Sequence, residues 1–108
     1  MSKRTEQVAA LLCSAMNEII IKDFEAPKGT LISVSMVTIS ADLKNATAYV
    51  SVIPQDKLGT GLEAIRRFSG HVQKELGKYL TIRTTPKIIW KLDERDLKYS
   101  AIDEALNS

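Results

Sequence analysis

Two β-rich runs, LISVSMVTIS (31–40) and ATAYVSVI (46–53), have only ADLKN between them. Both are rich in β-branched residues and alternate as half-buried strands do. A connection this short cannot hold a crossover, so the pair is predicted to be an antiparallel hairpin. The first run has an internal conflict. Ile32, Val34 and Met36 share one parity, while Val37 and Ile39 share the other. With a side-chain period of two, that phase change calls for either a β-bulge or a strand covered on both faces.

The flanks supply what the hairpin must pack against. Residues 4–22 carry Val8, Leu11, Leu12, Ala15 and Ile19 at helical spacing, and DFEAPKG ends that helix with Pro27 and Gly29. Pro54 stops the second strand. Thr60-Gly-Leu-Glu63 has the spacing of a capping box, which places a helix start at Thr60. The LGTG just before it lacks the full phosphate-loop pattern and reads as turn and cap. Over 61–80, Leu62, Ile65, Val72, Leu76 and Leu80 fall on one side of a helix. KIIWKLD (87–93) reads as a third strand, with Ile88, Trp90 and Leu92 on one face and Lys87, Ile89 and Lys91 on the other. The short acidic end, about 97–108, is expected to be either a marginal final helix over 97–105 or disordered. The prediction is one α+β domain over 1–108, a three-stranded sheet with helices on one face.

Net charge is only +2, but it is unevenly placed. Residues 66–91 hold Arg66, Arg67, Lys74, Lys78, Arg83, Lys87 and Lys91 against the single acid Glu75. Both flanks are net acidic, so the basic block is a candidate footprint for a polyanion. On the helix over 61–80, Arg67, His71, Lys74 and Lys78 form a stripe opposite the apolar side. A solvated helix face and an RNA-binding face both fit that stripe. RRFSGHVQK (66–74) adds Ser69-Gly70 in mid-helix, where glycine costs ~1 kcal/mol relative to alanine. Gly70 either lets the backbone turn and approach phosphate or lets the helix pack closely on the sheet.

Other functions find little support in the residues. Cys13 and His71 are the only Cys and His, 58 positions apart, with no metal-ligand spacing. No acid/base pair is recognisable. Asp93, Glu94 and Asp96 cluster after the last strand, where helix capping and solvation are favoured over cation binding. Trp90 shares parity with Ile88 and Leu92, which argues for core over base stacking. Cys13 beside an apolar stripe reads as a small buried hydrophobe, and a lone cysteine fits a reducing compartment. No apolar run approaches the ~20 residues of a membrane helix. The N-terminus is a poor signal peptide because Glu6, Gln7, Asn17 and Glu18 break and end its apolar run. A cytoplasmic monomer is expected, with no catalytic residue, cofactor, metal, membrane or small-molecule substrate.

The element order, with a helix-break-helix before the last strand, resembles the type II KH domain, although no two glycines have the GxxG spacing of its nucleotide-clamping loop. The residues resemble the ribosome-binding factor A family. VTISADLKNATAYVSV (37–52) is similar to its hairpin, FSGHVQKELGKYLTIRTTP (68–86) to its helix-kink-helix, and Pro86 to Asp93 to its last strand. Phe68 stands where the family has a small residue before the kink, and Trp90 where it usually has Phe. The resemblance implies binding to free 30S subunits and help in late maturation and processing of 16S rRNA, by binding rather than catalysis. The implied RNA contacts are Arg66, Arg67, Ser69, Gly70, His71, Lys74, Lys78, Arg83, Lys87 and Lys91. The alternative is a protein–protein module whose basic block is incidental.

Overall fold

A computed structural model of the chain describes residues 3–79 and 85–93. The hairpin is its centre. β1 (Leu31–Ile39) and β2 (Asn45–Ile53) pair antiparallel, from Leu31 opposite Ile53 to Ile39 opposite Ala46. The register slips between Val34 and Met36, so Ser35 is the extra residue of a bulge. The bulge resolves the parity conflict. Ile32, Val34, Val37 and Ile39 are all buried together, and Met36 is turned out, 46% exposed.

The connecting turn is held by its short polar side chains. Ser40 Oγ donates to Asp42 Oδ1 at 2.6 Å, and the same carboxylate oxygen accepts from the Lys44 amide at 3.0 Å. The Asn45 amide donates to Ser40 Oγ at 3.0 Å. The chain reverses through Leu43 at φ +62°, a left-handed conformation uncommon for a branched residue. Leu43 is half-buried and packs against the core, an apolar contact that helps hold it there.

β3 (Lys87–Leu92) lies parallel to β2 on its other side, giving the sheet order β1-β2-β3. A parallel neighbour needs a long crossover. That crossover carries α2 (Leu58–Tyr79), which is preceded by a single 3-10 turn, Gln55–Lys57. With α1 (Lys3–Asp23), α2 covers one face of the sheet. Leu12, Met16 and Ile19 of α1 and Ile65, Val72 and Leu76 of α2 are buried with Ala46, Ala48, Val50 and Val52 of the central strand. The architecture is α+β of the KH-like kind that the resemblance implies.

Three local expectations are corrected. α2 begins at Leu58, so Thr60 lies inside its first turn, and Glu63 pairs with Arg67 instead of reaching back to Thr60. α2 also runs unbroken through Ser69-Gly70. Gly70 lacks a positive φ, and the helix-break-helix is one helix. In α1, Leu11 is 60% exposed, and Ala9, Met16 and Ile20 complete the inward stripe. Leu80 and the marginal helix at 97–105 lie outside the described residues.

Candidate nucleic-acid interface

α2 is anchored along its inner side at several points. Near its start Gly61 is buried against the hairpin. A Cβ there would sit 2.8 Å from both γ-carbons of Val52 and 3.3 Å from Ile32 Cδ1. The close-packing glycine is therefore Gly61, within the LGTG stretch. Midway, the indole of Trp90, 4% exposed, donates from Nε1 to Ser69 Oγ at 2.8 Å. Further along, Gln73 Nε2 donates to the Pro86 carbonyl at 2.7 Å. Ser69, an expected RNA contact, is thus turned toward β3, where it satisfies a buried indole N–H.

The outer side carries Arg66, Arg67, Gly70, Lys74 and Lys78, all exposed. A Cβ added at Gly70 would meet nothing within 4 Å. The cations are not equivalent. Arg67 Nη2 lies 2.6 Å from Glu63 Oε1, one helical turn away, and Lys78 Nζ lies 3.2 Å from Glu75 Oε1. Arg66 and Lys74 make no ion pair among the described residues. Of the predicted stripe, Arg67, His71 and Lys78 thus each face a carboxylate and only Lys74 does not. Arg66, from the same basic block, is the other cation without an acidic partner among the described residues, and it and Lys74 lie on either side of Gly70.

His71 belongs to a different structure. Its Nε2 is 2.8 Å from Asp23 Oδ2 at the C-terminal end of α1. The imidazole stacks on Phe68 at a centroid distance of 4.8 Å, and Phe68 packs on Phe24 at 5.0 Å. A carboxylate at a helix C-terminus is unfavourable by itself, and His71 offers it a hydrogen-bond partner. Phe68, half-buried, fills the α1–α2 junction in an unbroken helix.

Lys87 and Lys91 point elsewhere. They stand exposed on β3 with Ile89, on the face of the sheet that the helices leave open. The register puts Met36, Tyr49 and Lys91 in one row and Thr38, Thr47 and Ile89 in the next. The ten expected contacts therefore fall into an α2 group, a sheet-face pair and two residues turned to structural work. Arg83 lies outside the described residues. That Tyr49 lies between Met36 and Lys91 was not legible in the sequence, because it takes the pairing of β2 with both β1 and β3 to bring the three together.

Among the described residues, no group of three or more His, Cys, Asp or Glu side chains gathers as a metal site. Asp93 is buried and accepts from Ser35 Oγ at 2.6 Å, which ties the end of β3 to the bulge of β1. Its predicted cluster partners Glu94 and Asp96 lie outside the described residues. Cys13 is half-buried, its thiol pushed up by desolvation and within 3.6 Å of the Val34 carbonyl. No described helix is long and apolar enough to cross a membrane.

Comparison with known proteins agrees with this architecture. The profile of the family described as Ribosome-binding factor A matches residues 4–106. A ribosome-binding factor A from Caldicellulosiruptor bescii is 30% identical over 110 residues, covering 97% of this chain and 83% of its own. The crystal structure of ribosome-binding factor A from Thermus thermophilus superposes with a TM-score of 0.73 at 20% identity, over 82% of this chain and 94% of that one. A Thermus thermophilus RbfA homology model fitted into the cryo-EM map of a 30S–RbfA complex gives 0.69 at 24% identity, over 81% and 92%. With nearly its whole length matched, the chain belongs to the ribosome-binding factor A family.

Proposed function

We propose that this protein binds the free 30S subunit through 16S rRNA and assists late maturation and processing of that RNA, with the outer side of α2 against phosphate. The observation that carries the reading is the pair Arg66 and Lys74, exposed and without an acidic partner among the described residues, on either side of the open space at Gly70. Cations held by no protein carboxylate are free to exchange counterions for phosphates. The relative fitted into a 30S complex supports the same partner. The protein acts by binding energy alone, favouring one rRNA conformation by its differential affinity for it.

Co-sedimentation with free small subunits at low and high salt tests the reading. The wild-type protein sediments with subunits at low salt and is released as salt rises. Arg66→Gln with Lys74→Gln weakens binding and lowers the salt slope by about 1.8 if both cations touch duplex phosphates. A folded double variant with undiminished binding and an unchanged slope excludes this face.

A further inference from the structure

The helices use one side of the sheet, and the other side has its own chemistry. Tyr49 stands on the central strand, directly between Met36 of β1 and Lys91 of β3. Ile89 is one row along, and Lys87 lies beyond it on the same strand and face. Met36 and Ile89 are 46% and 43% exposed, an apolar border around a half-buried aromatic ring. Lys87 and Lys91 are exposed and make no ion pair among the described residues. The nearby carboxylate of Asp93 is buried and engaged by Ser35.

From this arrangement we infer that the open face of the sheet is a second RNA surface, one that takes unpaired nucleotides. A base stacks on Tyr49, bordered by Met36 and Ile89, and phosphates on either side meet Lys91 and Lys87. The two lysines are four residues apart on an extended strand, so their backbones are ~13 Å apart. A single strand running along β3 can touch both while a base reaches Tyr49. Aromatic residues bordered by cations suit single strands because every base has a π-face and each nucleotide has a phosphate. Duplex RNA keeps its bases stacked inside and has no use for the ring. The inference rests on the proposed rRNA binding and deepens it. α2 and the open face look in opposite directions, so one molecule bridges two RNA segments.

The test uses the methyl resonances of Met36 and Ile89 and the ring of Tyr49 in the full chain. The probes are a short oligouridylate and an RNA duplex of equal length. The single strand should shift all three residues, and the duplex should leave them in place. Tyr49→Ala should weaken oligouridylate binding about tenfold, and Tyr49→Phe should retain it. Lys87→Gln with Lys91→Gln should reduce the salt slope by about 1.4, the single-strand value for two phosphate contacts. The inference is overturned if the oligonucleotide shifts only α2. It is equally overturned if these methyls respond to RNA-free small-subunit proteins and not to RNA. In either case, wild-type co-sedimentation with subunits would leave the α2 reading standing. Oligonucleotide binding to the sheet without subunit binding would remove that reading and leave this one.

Discussion

Two glycines of α2 sit in opposite circumstances, and alanine at each should have opposite effects. Gly70 is exposed, has no positive φ and would have nothing within 4 Å of an added methyl group. Gly70→Ala should therefore recover most of the ~1 kcal/mol by which alanine is the better helix former. Gly61→Ala gains the same helical term but drives its methyl to 2.8 Å from both γ-carbons of Val52. Carbon pairs are at their best near ~3.5–4.0 Å, so either the start of α2 or the hairpin must move by ~1 Å. Overpacking of this kind costs ~1–3 kcal/mol, and the net effect should be a loss of about 1 kcal/mol. Urea unfolding followed by far-UV circular dichroism measures both. Adding Val52→Ala to Gly61→Ala should show coupling, because the second change removes the atoms that clash. The functional half is separate. If RNA backbone approaches α2 at Gly70, the more stable Gly70→Ala protein should lose small-subunit affinity. A destabilised Gly70→Ala would mean that the helix is not regular there, and a more stable Gly61→Ala with no coupling to Val52 would refute the packing argument.

Ser69→Ala should cost ~1–3 kcal/mol despite alanine's better helix propensity, since the buried Trp90 N–H loses its acceptor. Subunit affinity per folded molecule should stay the same, and a loss would return Ser69 to the interface. Asn17→Ala should cost about 2 kcal/mol, because the Asn17 amide both accepts from the Val34 N–H at 2.8 Å and donates to its carbonyl at 2.9 Å on the outer edge of β1. Sedimentation analysis should also show more self-association as that edge opens. The Asp42 carboxyl is held below its ordinary value by the Ser40 hydroxyl and then the Lys44 amide. Its stabilising contribution is thus present above the unfolded pKa of ~3.9 and is lost as pH falls through the lower folded value. Asp42→Asn should flatten the acid limb of a stability–pH profile, and an unchanged limb would exclude the turn as its source.

The parts of the fold legible in the sequence are those set by local pattern. Alternation and a short connection specify the hairpin. The parity break between Met36 and Val37 left a bulge and a strand covered on both faces open, a choice the register slip settles as a bulge. The parity of Ile88, Trp90 and Leu92 put the indole in the core, where it is found. What local pattern could not show was mostly decided by contacts between distant segments. Ser69 and Trp90 are 21 residues apart in sequence, and Asp23 and His71 are 48 apart. Ser-Gly in mid-helix invites a break on propensity alone, yet the inner anchors of α2 at Gly61, Ser69 and Gln73 are spaced for a continuous helix. Thr60 and Glu63 have capping spacing, but the preceding 3-10 turn starts the helix earlier and leaves Glu63 to pair with Arg67. The charge block was visible as composition. Its division between α2 and the open sheet face required the pairing of β3 with β2.

If α2 holds RNA as proposed, its continuity changes what it can use to do so. A GxxG loop can turn backbone N–H groups toward phosphate. In the interior of an unbroken helix N–H groups are engaged by carbonyls four residues back, and Gly70 lies in such an interior. Backbone donation at this point is therefore closed. What Gly70 can offer is clearance, the absence of a side chain where a sugar-phosphate strand would lie. The attraction must then come from side chains. Arg67 is shared with Glu63 in an exposed pair that can exchange for phosphate at little cost, whereas Lys78 is held by Glu75, whose side chain is only 17% exposed. Arg66 and Lys74 have no such competition among the described residues. A rigid rod with cations on both sides of a gap reads the spacing of phosphates and not the identity of bases. If α2 binds rRNA as proposed, such a surface would favour a segment only when its backbone is in the arrangement that fits, and binding would depend on how far the RNA has folded.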